Sequence, residues 1–107
     1  DRLRRAYKIG VTLVYGTDAI DFKPGITRGQ DAITGIDPWV EAGVPAPAIL
    51  RAMTTNGTRL LGVDDVRGTL KVGQYADLIA TPDNPLTNIQ TLRQVSFVMK
   101  NGKVVER

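Results

Sequence analysis

The sequence has 107 residues, of which 42% are hydrophobic and 23% are charged, and its formal net charge is +3. These proportions are typical of one globular domain or of parts of two. No apolar run approaches the roughly 20 residues that cross a bilayer, and no basic stripe is interleaved with exposed aromatic residues. We therefore expect neither a membrane nor a nucleic acid as a partner.

Missing residue types restrict the chemistry that the chain can perform by itself. There is no cysteine and no histidine, and the single serine, Ser96, lies in a strand-like run. Disulfides, zinc–thiolate sites, imidazole bases and the Ser-His-Asp and Cys-His mechanisms are thereby excluded within this chain. Its chemistry must use carboxylates or groups supplied from elsewhere.

The first predicted elements are a helix over residues 1–9, ended by Gly10, and a strand over Val11–Tyr15. The strand is continuously apolar or β-branched, which is typical of a strand buried on both faces in a parallel sheet. A helix, a short turn and a buried strand make half of a βαβ unit. The chain also opens without a methionine inside a helical pattern, so we expect it to be a piece of a longer protein.

Helical signals continue to about residue 62. The loop over residues 20–29 is long for a βα connection. Residues 31–43 predict a helix in two pieces, the second of which begins with Asp37-Pro38 as N-cap and first helical residue. A further helix is predicted over residues 46–54, followed by a helical turn that stops at Gly62.

From residue 63 onward, short strand candidates alternate with turn residues. Strands are predicted over residues 68–70 and 77–80, and a hairpin is predicted over residues 95–105 around the type I′ turn signal Asn101-Gly102. This is antiparallel β structure with too few strands to close a sheet, so two edges would be left open. Isolated domains avoid such edges.

The predicted strand at Val11–Tyr15 is followed by Gly16 and then by a single aspartate, Asp18. One interpretation is that Asp18 caps the following turn. The other is that it is a metal ligand or a general base at the mouth of a barrel, where catalytic residues follow the strands. The residues alone leave both interpretations open.

An ordered series of short motifs runs through nearly the whole chain. It begins with VTLVYGTDA at 11–19 and continues with EAGV at 41–44, AILRAMT at 48–54, LLG at 60–62, GTL at 68–70, ADLI at 76–79, NPL at 84–86 and KNGKVV at 100–105. In this order the motifs resemble the metal-dependent amidohydrolases, in the branch of imidazolonepropionase-like enzymes and Xaa-Pro dipeptidases. In that family VTLVYGTDA looks like the eighth barrel strand.

The resemblance implies an α/β fold that is the C-terminal fragment of a (β/α)₈ barrel with the last strands of a small β-sandwich domain. Residues 1–62 would supply the end of the barrel, and residues 63–107 the C-terminal part of the β domain. It also implies one or two divalent metals, expected to be zinc, at the barrel mouth. Most ligands, histidines and a carboxylated lysine, would come from outside this chain, and Asp18 would be both a metal ligand and the general base.

The loop after Asp18 departs from the family pattern. Arg28-Gly29 stands where many relatives carry a histidine next to glycine, which puts substrate contacts inferred there in doubt. Lys23 or Arg28 could pair with a substrate carboxylate, but a solvated loop charge is the simpler interpretation of each. We retain both as candidate substrate-binding residues.

Other polar and aromatic residues have plain structural interpretations. Asp21 could form a carboxylate pair with Asp18 but is more simply a surface charge, and Thr17 could orient Asp18 or bond to its own backbone. Trp39 is expected to pack, and Asp77 is expected to satisfy backbone donors in the β half. The aspartates interpreted as turn formers are Asp64, Asp65 and Asp83.

The sequence therefore predicts part of a metal-dependent hydrolase that cleaves an amide-type C–N bond in a dipeptide, a cyclic amide or a related small molecule. The chain alone is expected to be inactive, and its partners are the remainder of the barrel, as a companion chain or an N-terminal part, and a second copy in a homo-oligomer. The alternative is a catalytically inactive module that only self-associates or complements a partner. The cellular compartment is left open.

Overall fold

The computed structural model describes residues 1–18 and 23–106. Within these residues the chain forms five α-helices, one 3₁₀ helix and a three-stranded sheet. The helices are α1 (Arg2–Lys8), α2 (Arg28–Thr34), α3 (Asp37–Glu41), α4 (Ala46–Met53) and α5 (Thr55–Leu60), and the strands are β1 (Leu78–Ala80), β2 (Phe97–Lys100) and β3 (Lys103–Val104), with the 3₁₀ helix at Ile89–Gln94. In the part of the chain so described, no helix is long and apolar enough to traverse a bilayer.

Helix α1 confirms the first predicted helix. The Asp1 carboxylate accepts a hydrogen bond of 3.0 Å from the backbone of the first turn, and the helix is followed by Gly10 with a φ of +81°. The Arg4 guanidinium donates to the carbonyls of Glu41 and Ala42 at 2.9 and 3.2 Å. Because these carbonyls end α3, Arg4 both docks α1 and satisfies acceptors that a helix end leaves unpaired.

Helices α2 and α3 confirm the helix in two pieces, with two corrections at its boundaries. Helix α2 begins at Arg28 because Thr27 and Gln30 form a capping box, in which each side chain accepts a hydrogen bond from the other residue's backbone. Asp37 is the first residue of α3, and Ile36 takes the N-cap position without a side-chain hydrogen bond. The prediction of Asp37 as the N-cap is therefore wrong by one residue.

The segment over residues 11–18, called the extended segment below, contains no helix and is not paired as a strand with any described residue. One of its N–H groups donates to the Ala52 carbonyl at 2.9 Å, and the Asn56 amide donates to one of its carbonyls at 2.9 Å. Val11 and Val14 are exposed, so the prediction of a strand buried on both faces is wrong for the chain as described. A strand needs a ladder of hydrogen bonds along a neighbouring backbone, whereas the described residues supply only scattered bonds, these two and one of 3.0 Å from the Val11 N–H to the Ala6 carbonyl of α1.

The sheet confirms the predicted strand at 77–80 and the predicted hairpin. Its order is β1-β2-β3 and both pairings are antiparallel, with Leu78 opposite Met99 and Met99 opposite Val104. The hairpin turns at Asn101 and Gly102, whose φ values of +51° and +75° are the positive pair that a type I′ turn requires.

The predicted strand over residues 68–70 is wrong. The N–H and the hydroxyl of Thr69 both donate to the side-chain oxygen of Gln74, at 3.2 and 2.6 Å. The Gln74 side chain in turn donates to the Asp64 carbonyl at 3.1 Å. A loop closed by side-chain hydrogen bonds thus takes the place of a strand ladder.

One hydrophobic core joins the helices to the 3₁₀ helix, which the sequence did not predict. Its buried members are Ile36, Ala42, Val44, Ile49, Ile89 and Leu92. The 3₁₀ helix is also tied to α3 by an ion pair between Arg93 and Asp37 of 2.7 Å. Residues from both sides of the predicted boundary at residue 62 share this core, and the boundary itself stays a prediction.

Candidate functional site

A polar cavity of about 300 Å³ lies between the extended segment and helices α2 and α3. Its described lining consists of Tyr15, Gly16, Thr17, Asp18, Lys23, Asp31, Thr34, Gly35 and Trp39. The extended segment contributes one wall and the two helices contribute the other. The cavity is the place where the chain brings the predicted catalytic residue together with other polar side chains.

Asp18 ends the extended segment in a left-handed backbone conformation, with a φ of +47°. Few residues other than glycine adopt this region, and aspartate is among those that tolerate it best. The side chain is exposed and lines the cavity, and no described residue forms an ion pair or hydrogen bond with its carboxylate. Asp21, which is interpreted from the sequence as a surface charge rather than as a carboxylate partner of Asp18, lies outside the described residues.

The two predicted substrate-binding residues have different places. Lys23 lines the cavity, where its ammonium group pairs with the Asp31 carboxylate of α2. Arg28 is exposed at the start of α2 and is not part of the described cavity lining. The structure therefore brings Asp18 and Lys23 together and leaves Arg28 apart from them.

Tyr15 is a residue of the cavity that sequence reasoning treated only as part of a strand. Its hydroxyl donates to the Ala32 carbonyl at 2.7 Å. Burial raises the pKa of the phenol above its usual value of 10.0, with a smaller lowering by Arg93 and a smaller raising by Asp37. Tyr15 is therefore a neutral hydrogen-bond donor at pH 7. The available signal was an aromatic residue directly before the glycine that ends the strand pattern.

Trp39 packs as predicted and also lines the cavity. It is partly buried against the hydrophobic core, and its ring centroid lies 5.6 Å from that of Tyr15 at an interplanar angle of 44°. Such tilted aromatic pairs are favourable. Thr17 lines the cavity too, without a side-chain hydrogen bond to Asp18 among the described residues.

The described residues do not form a metal site on their own. No group of three or more histidine, cysteine, aspartate or glutamate residues comes together in ranges 1–18 and 23–106. Of the two described carboxylates in the cavity, Asp31 already pairs with Lys23, which leaves Asp18. Zinc sites use three or four protein ligands, so a metal bound here would need most of its ligands from residues beyond those described.

Asp77 has the structural role that the sequence predicted. It accepts hydrogen bonds of 2.8 Å from the Asn101 N–H and from Lys100, and it pairs with Arg67. These interactions, that with Lys100 first, lower the pKa of Asp77 to about 2. The three aspartates that are predicted as turn formers lie in turns or bends: Asp64, Asp65 and Asp83.

The chain matches the amidohydrolase family over residues 1–105. It belongs to this family. The resemblance predicted from the motifs is thereby confirmed, and amidohydrolases are in general metal-dependent. The (β/α)₈ barrel, the identity of the metal and the roles of individual residues stay predictions.

Among curated amidohydrolase relatives, ochratoxinase from Aspergillus niger is 31% identical over 103 residues, which are 92% of this chain and 20% of ochratoxinase. A solved Xaa-Pro dipeptidase with bound methionine in its active site is 37% identical, with a TM-score of 0.80 over 100% of this chain and 25% of that chain. Molinate hydrolase is 30% identical, with a TM-score of 0.84 over 97% of this chain and 25% of that chain. The chain thus spans a fifth to a quarter of the length of these relatives.

Proposed function

We propose that this chain is the C-terminal part of a metal-dependent hydrolase that cleaves an amide-type C–N bond in a dipeptide, a cyclic amide or a related small molecule. Membership of the amidohydrolase family supports the reaction class. The Xaa-Pro dipeptidase among the similar structures supports a dipeptide as the first substrate to test. In this proposal residues 1–62 complete a (β/α)₈ barrel and residues 63–107 complete a small β domain.

The observation that carries the proposal is the contrast between the two described carboxylates of the cavity. Asp31 is paired with Lys23, whereas Asp18 has no described partner and is exposed to the cavity. An unpaired carboxylate at the end of an extended segment is free to accept a proton, as a general base must. Asp18 is therefore the catalytic residue that we propose for this chain.

Asp18 acts on a proton in both halves of the proposed reaction. As a water oxygen bonds to the amide carbonyl carbon, a carboxylate oxygen of Asp18 accepts the water's proton. When the C–N bond breaks, the same proton passes to the leaving nitrogen, which departs as a neutral amine. Lys23 is proposed to bind a substrate carboxylate in exchange for Asp31, whereas Arg28, which is outside the described cavity lining, is kept only as a second candidate for substrate binding.

The proposed cofactor is a divalent metal, with zinc as the first candidate, and Asp18 would contribute one of its ligands. When bound, such an ion lowers the pKa of a coordinated water towards neutrality. The remaining ligands must come from outside this chain, because the chain has no histidine or cysteine and its described residues contain no ligand cluster.

Replacing Asp18 by asparagine in the full-length gene product, the complete reading frame that encodes these 107 residues, tests the proposal. Asparagine keeps the size of the side chain but cannot accept the proton, so kcat should fall by about 10²–10⁴-fold. The probe is methionyl-proline, with release of proline measured over time, followed by a panel of cyclic amides. The matched control is Asp64→Asn, the same change in an exposed turn, which should keep full activity.

Three outcomes would contradict the proposal. Nearly unchanged turnover in Asp18→Asn would show that Asp18 is not the catalytic base. A folded full-length product that cleaves none of the amide probes would contradict the proposed reaction class. The third concerns the 107-residue chain by itself, which we expect to be inactive and to lose metal on desalting. Stoichiometric, firmly held zinc in that chain would overturn the proposal that most ligands lie outside it.

A second proposal concerns partners. Several large apolar side chains are almost fully exposed, among them Leu60, Leu61 and Leu70 at 72, 75 and 79%. Such exposure favours a covering surface, which we propose to be the remainder of the barrel, in the same protein or in a companion chain, or a second copy in a homo-oligomer. A catalytically inactive, self-associating module is the alternative that the same exposure favours.

A further inference from the structure

The segment that carries Asp18 is held against helices α2, α4 and α5 at three points, and its Val11 N–H also donates to the Ala6 carbonyl of α1 at 3.0 Å. The Tyr15 N–H donates to the Ala52 carbonyl of α4 at 2.9 Å, and the Asn56 amide of α5 donates to a carbonyl of the segment at 2.9 Å. The third point is the Tyr15 hydroxyl, which donates to the Ala32 carbonyl of α2 at 2.7 Å. Of these hydrogen bonds, the third ties the segment to the opposite wall of the cavity.

Gly35, at the end of α2, lies where this contact leaves no room for a side chain. Its φ of −60° and ψ of −13° are accessible to every residue, so the backbone conformation does not require glycine. A Cβ at this position would lie 2.5 Å from the Tyr15 hydroxyl oxygen and 2.9 Å from Cγ2 of Thr17. Glycine is therefore needed for the close approach of the segment, and Thr17 directly precedes Asp18.

We propose that Tyr15 and Gly35 are positioning residues for Asp18. The hydroxyl bond of Tyr15 and the missing side chain at Gly35 together set the separation between Asp18 and the cavity wall that α2 and α3 form. This inference rests on the proposed function of Asp18. Small changes in the placement of a reacting group reduce turnover strongly. The two residues therefore affect kcat through the position of Asp18 and not through contact with the substrate.

The test is steady-state kinetics of methionyl-proline hydrolysis by the full-length gene product. Tyr15→Phe retains the ring that packs against Trp39 but loses one hydrogen bond, so kcat should fall about tenfold with KM changed by no more than about twofold. Gly35→Ala should lower kcat about 100-fold. A purely stabilising role would lower the melting temperature and leave kcat of the folded enzyme unchanged.

The double variant Tyr15→Phe/Gly35→Ala separates a shared contact from two independent defects. The Tyr15 hydroxyl is the atom nearest to the new Cβ, so its removal relieves the closest contact, while Cγ2 of Thr17 at 2.9 Å and the Ala32 carbonyl oxygen at 3.2 Å remain. The double variant should therefore be at least as active as Gly35→Ala alone. Independent defects would multiply to a loss of about 1,000-fold, and that result would overturn the proposal.

Gly57→Ala is the matched glycine control, because a Cβ at Gly57 meets its nearest atoms at 3.9 Å. It should keep the kcat of the unmodified enzyme. A readout independent of turnover is the Cα–Cα distance from residue 35 to Asp18 in crystal structures. In Gly35→Ala it should increase by about 1 Å, since apolar contacts settle near 3.5 Å or beyond, and an unchanged distance would overturn the proposal.

The outcomes also separate the two proposals. Full activity of Asp18→Asn would overturn the proposed catalytic role of Asp18, on which the positioning role rests. A severe loss in Asp18→Asn together with kcat within about twofold of normal in Tyr15→Phe would overturn only the positioning role. If Gly35→Ala does not fold, Tyr15→Phe decides the question by itself.

Discussion

Asp18 and Asp77 both lie beside extended segments, and their surroundings give them opposite properties. Asp77 is held by Lys100, by the Asn101 backbone and by Arg67, which itself lies over the Tyr75 ring with 4.3 Å between the guanidinium carbon and the ring centroid. Its carboxylate thus joins the loop at Arg67 to the hairpin turn. Asp18 has no described partner, so its carboxylate is available for chemistry.

The lowered pKa of Asp77 makes stability depend on pH in the acidic range. The folded pKa of about 2 lies below the ordinary value of 3.8, so between these values the unfolded chain binds more protons than the folded chain. The free energy of unfolding therefore rises with pH in this window, and the stabilisation that Asp77 contributes is lost as pH falls towards 2. Asp77→Asn should flatten this dependence and lower stability at pH 7, as measured by urea unfolding at pH 2, 3, 4 and 7.

Asp64→Asn is the control for that prediction, because it makes the same change in charge at an exposed turn. Its slope of unfolding free energy against pH should stay close to that of the unmodified chain. If Asp77→Asn keeps the full acidic slope, the ion pairs of Asp77 do not contribute to folding in the proposed way.

Residues at the site were predictable where a local pattern marks them. Asp18 follows a glycine after an apolar run, and Lys23 lies in the loop that follows, so the sequence offers both as candidates whose roles stay predictions. The role proposed for Tyr15 and Gly35 was not predictable from the sequence, because it arises from an approach between residues twenty positions apart. No spacing rule encodes that contact, and a glycine at an ordinary helical φ looks unremarkable in sequence.

At the scale of elements, local signals predicted the structure better than signals that depend on distant partners. The hairpin was predictable because Asn101-Gly102 fixes its turn and register within a few residues. The segment over residues 11–15 has the composition of a buried strand, yet strand structure also needs neighbouring backbones. The capping box of Thr27 and Gln30, which moves the start of α2 to Arg28, was a local signal that the sequence analysis missed.

The prediction at the scale of elements concerns the buried face of helix α4. Ile49 is fully buried in the core that joins α4 to the 3₁₀ helix. Ile49→Ala should therefore lower the free energy of unfolding by about 2–5 kcal/mol, the usual cost of truncating a buried aliphatic side chain. Urea unfolding at pH 7 measures the loss. In the dilute 107-residue chain, where the covering surface proposed for Leu60 is absent, Leu60→Ala at a position 72% exposed should change stability by no more than about 0.5 kcal/mol. Equal losses in the two variants would contradict the assigned core.

At the scale of the whole molecule, the apolar surface is incompletely covered. Strands β1 and β3 are the edges of the sheet, and no described residue pairs with their outer sides. Ile9 and Val72 are exposed by 78 and 101%. Unpaired sheet edges and large exposed apolar side chains are features that favour association. They agree with a chain that spans a quarter of the Xaa-Pro dipeptidase it resembles.

The 107-residue chain purified by itself should therefore associate as its concentration rises. Multi-angle light scattering should give masses above the 11.6 kDa of one chain at high concentration and approach that value on dilution. Leu70→Lys should weaken association, because it places a charge at an apolar position that is 79% exposed and has no buried contact to lose. Gln94→Lys, which adds the same charge at an exposed position away from Leu70, controls for net charge and should associate like the unmodified chain. A mass of one chain at every concentration would show that the exposed side chains do not drive self-association. The surface that covers them would then have to come from another part of the full-length product.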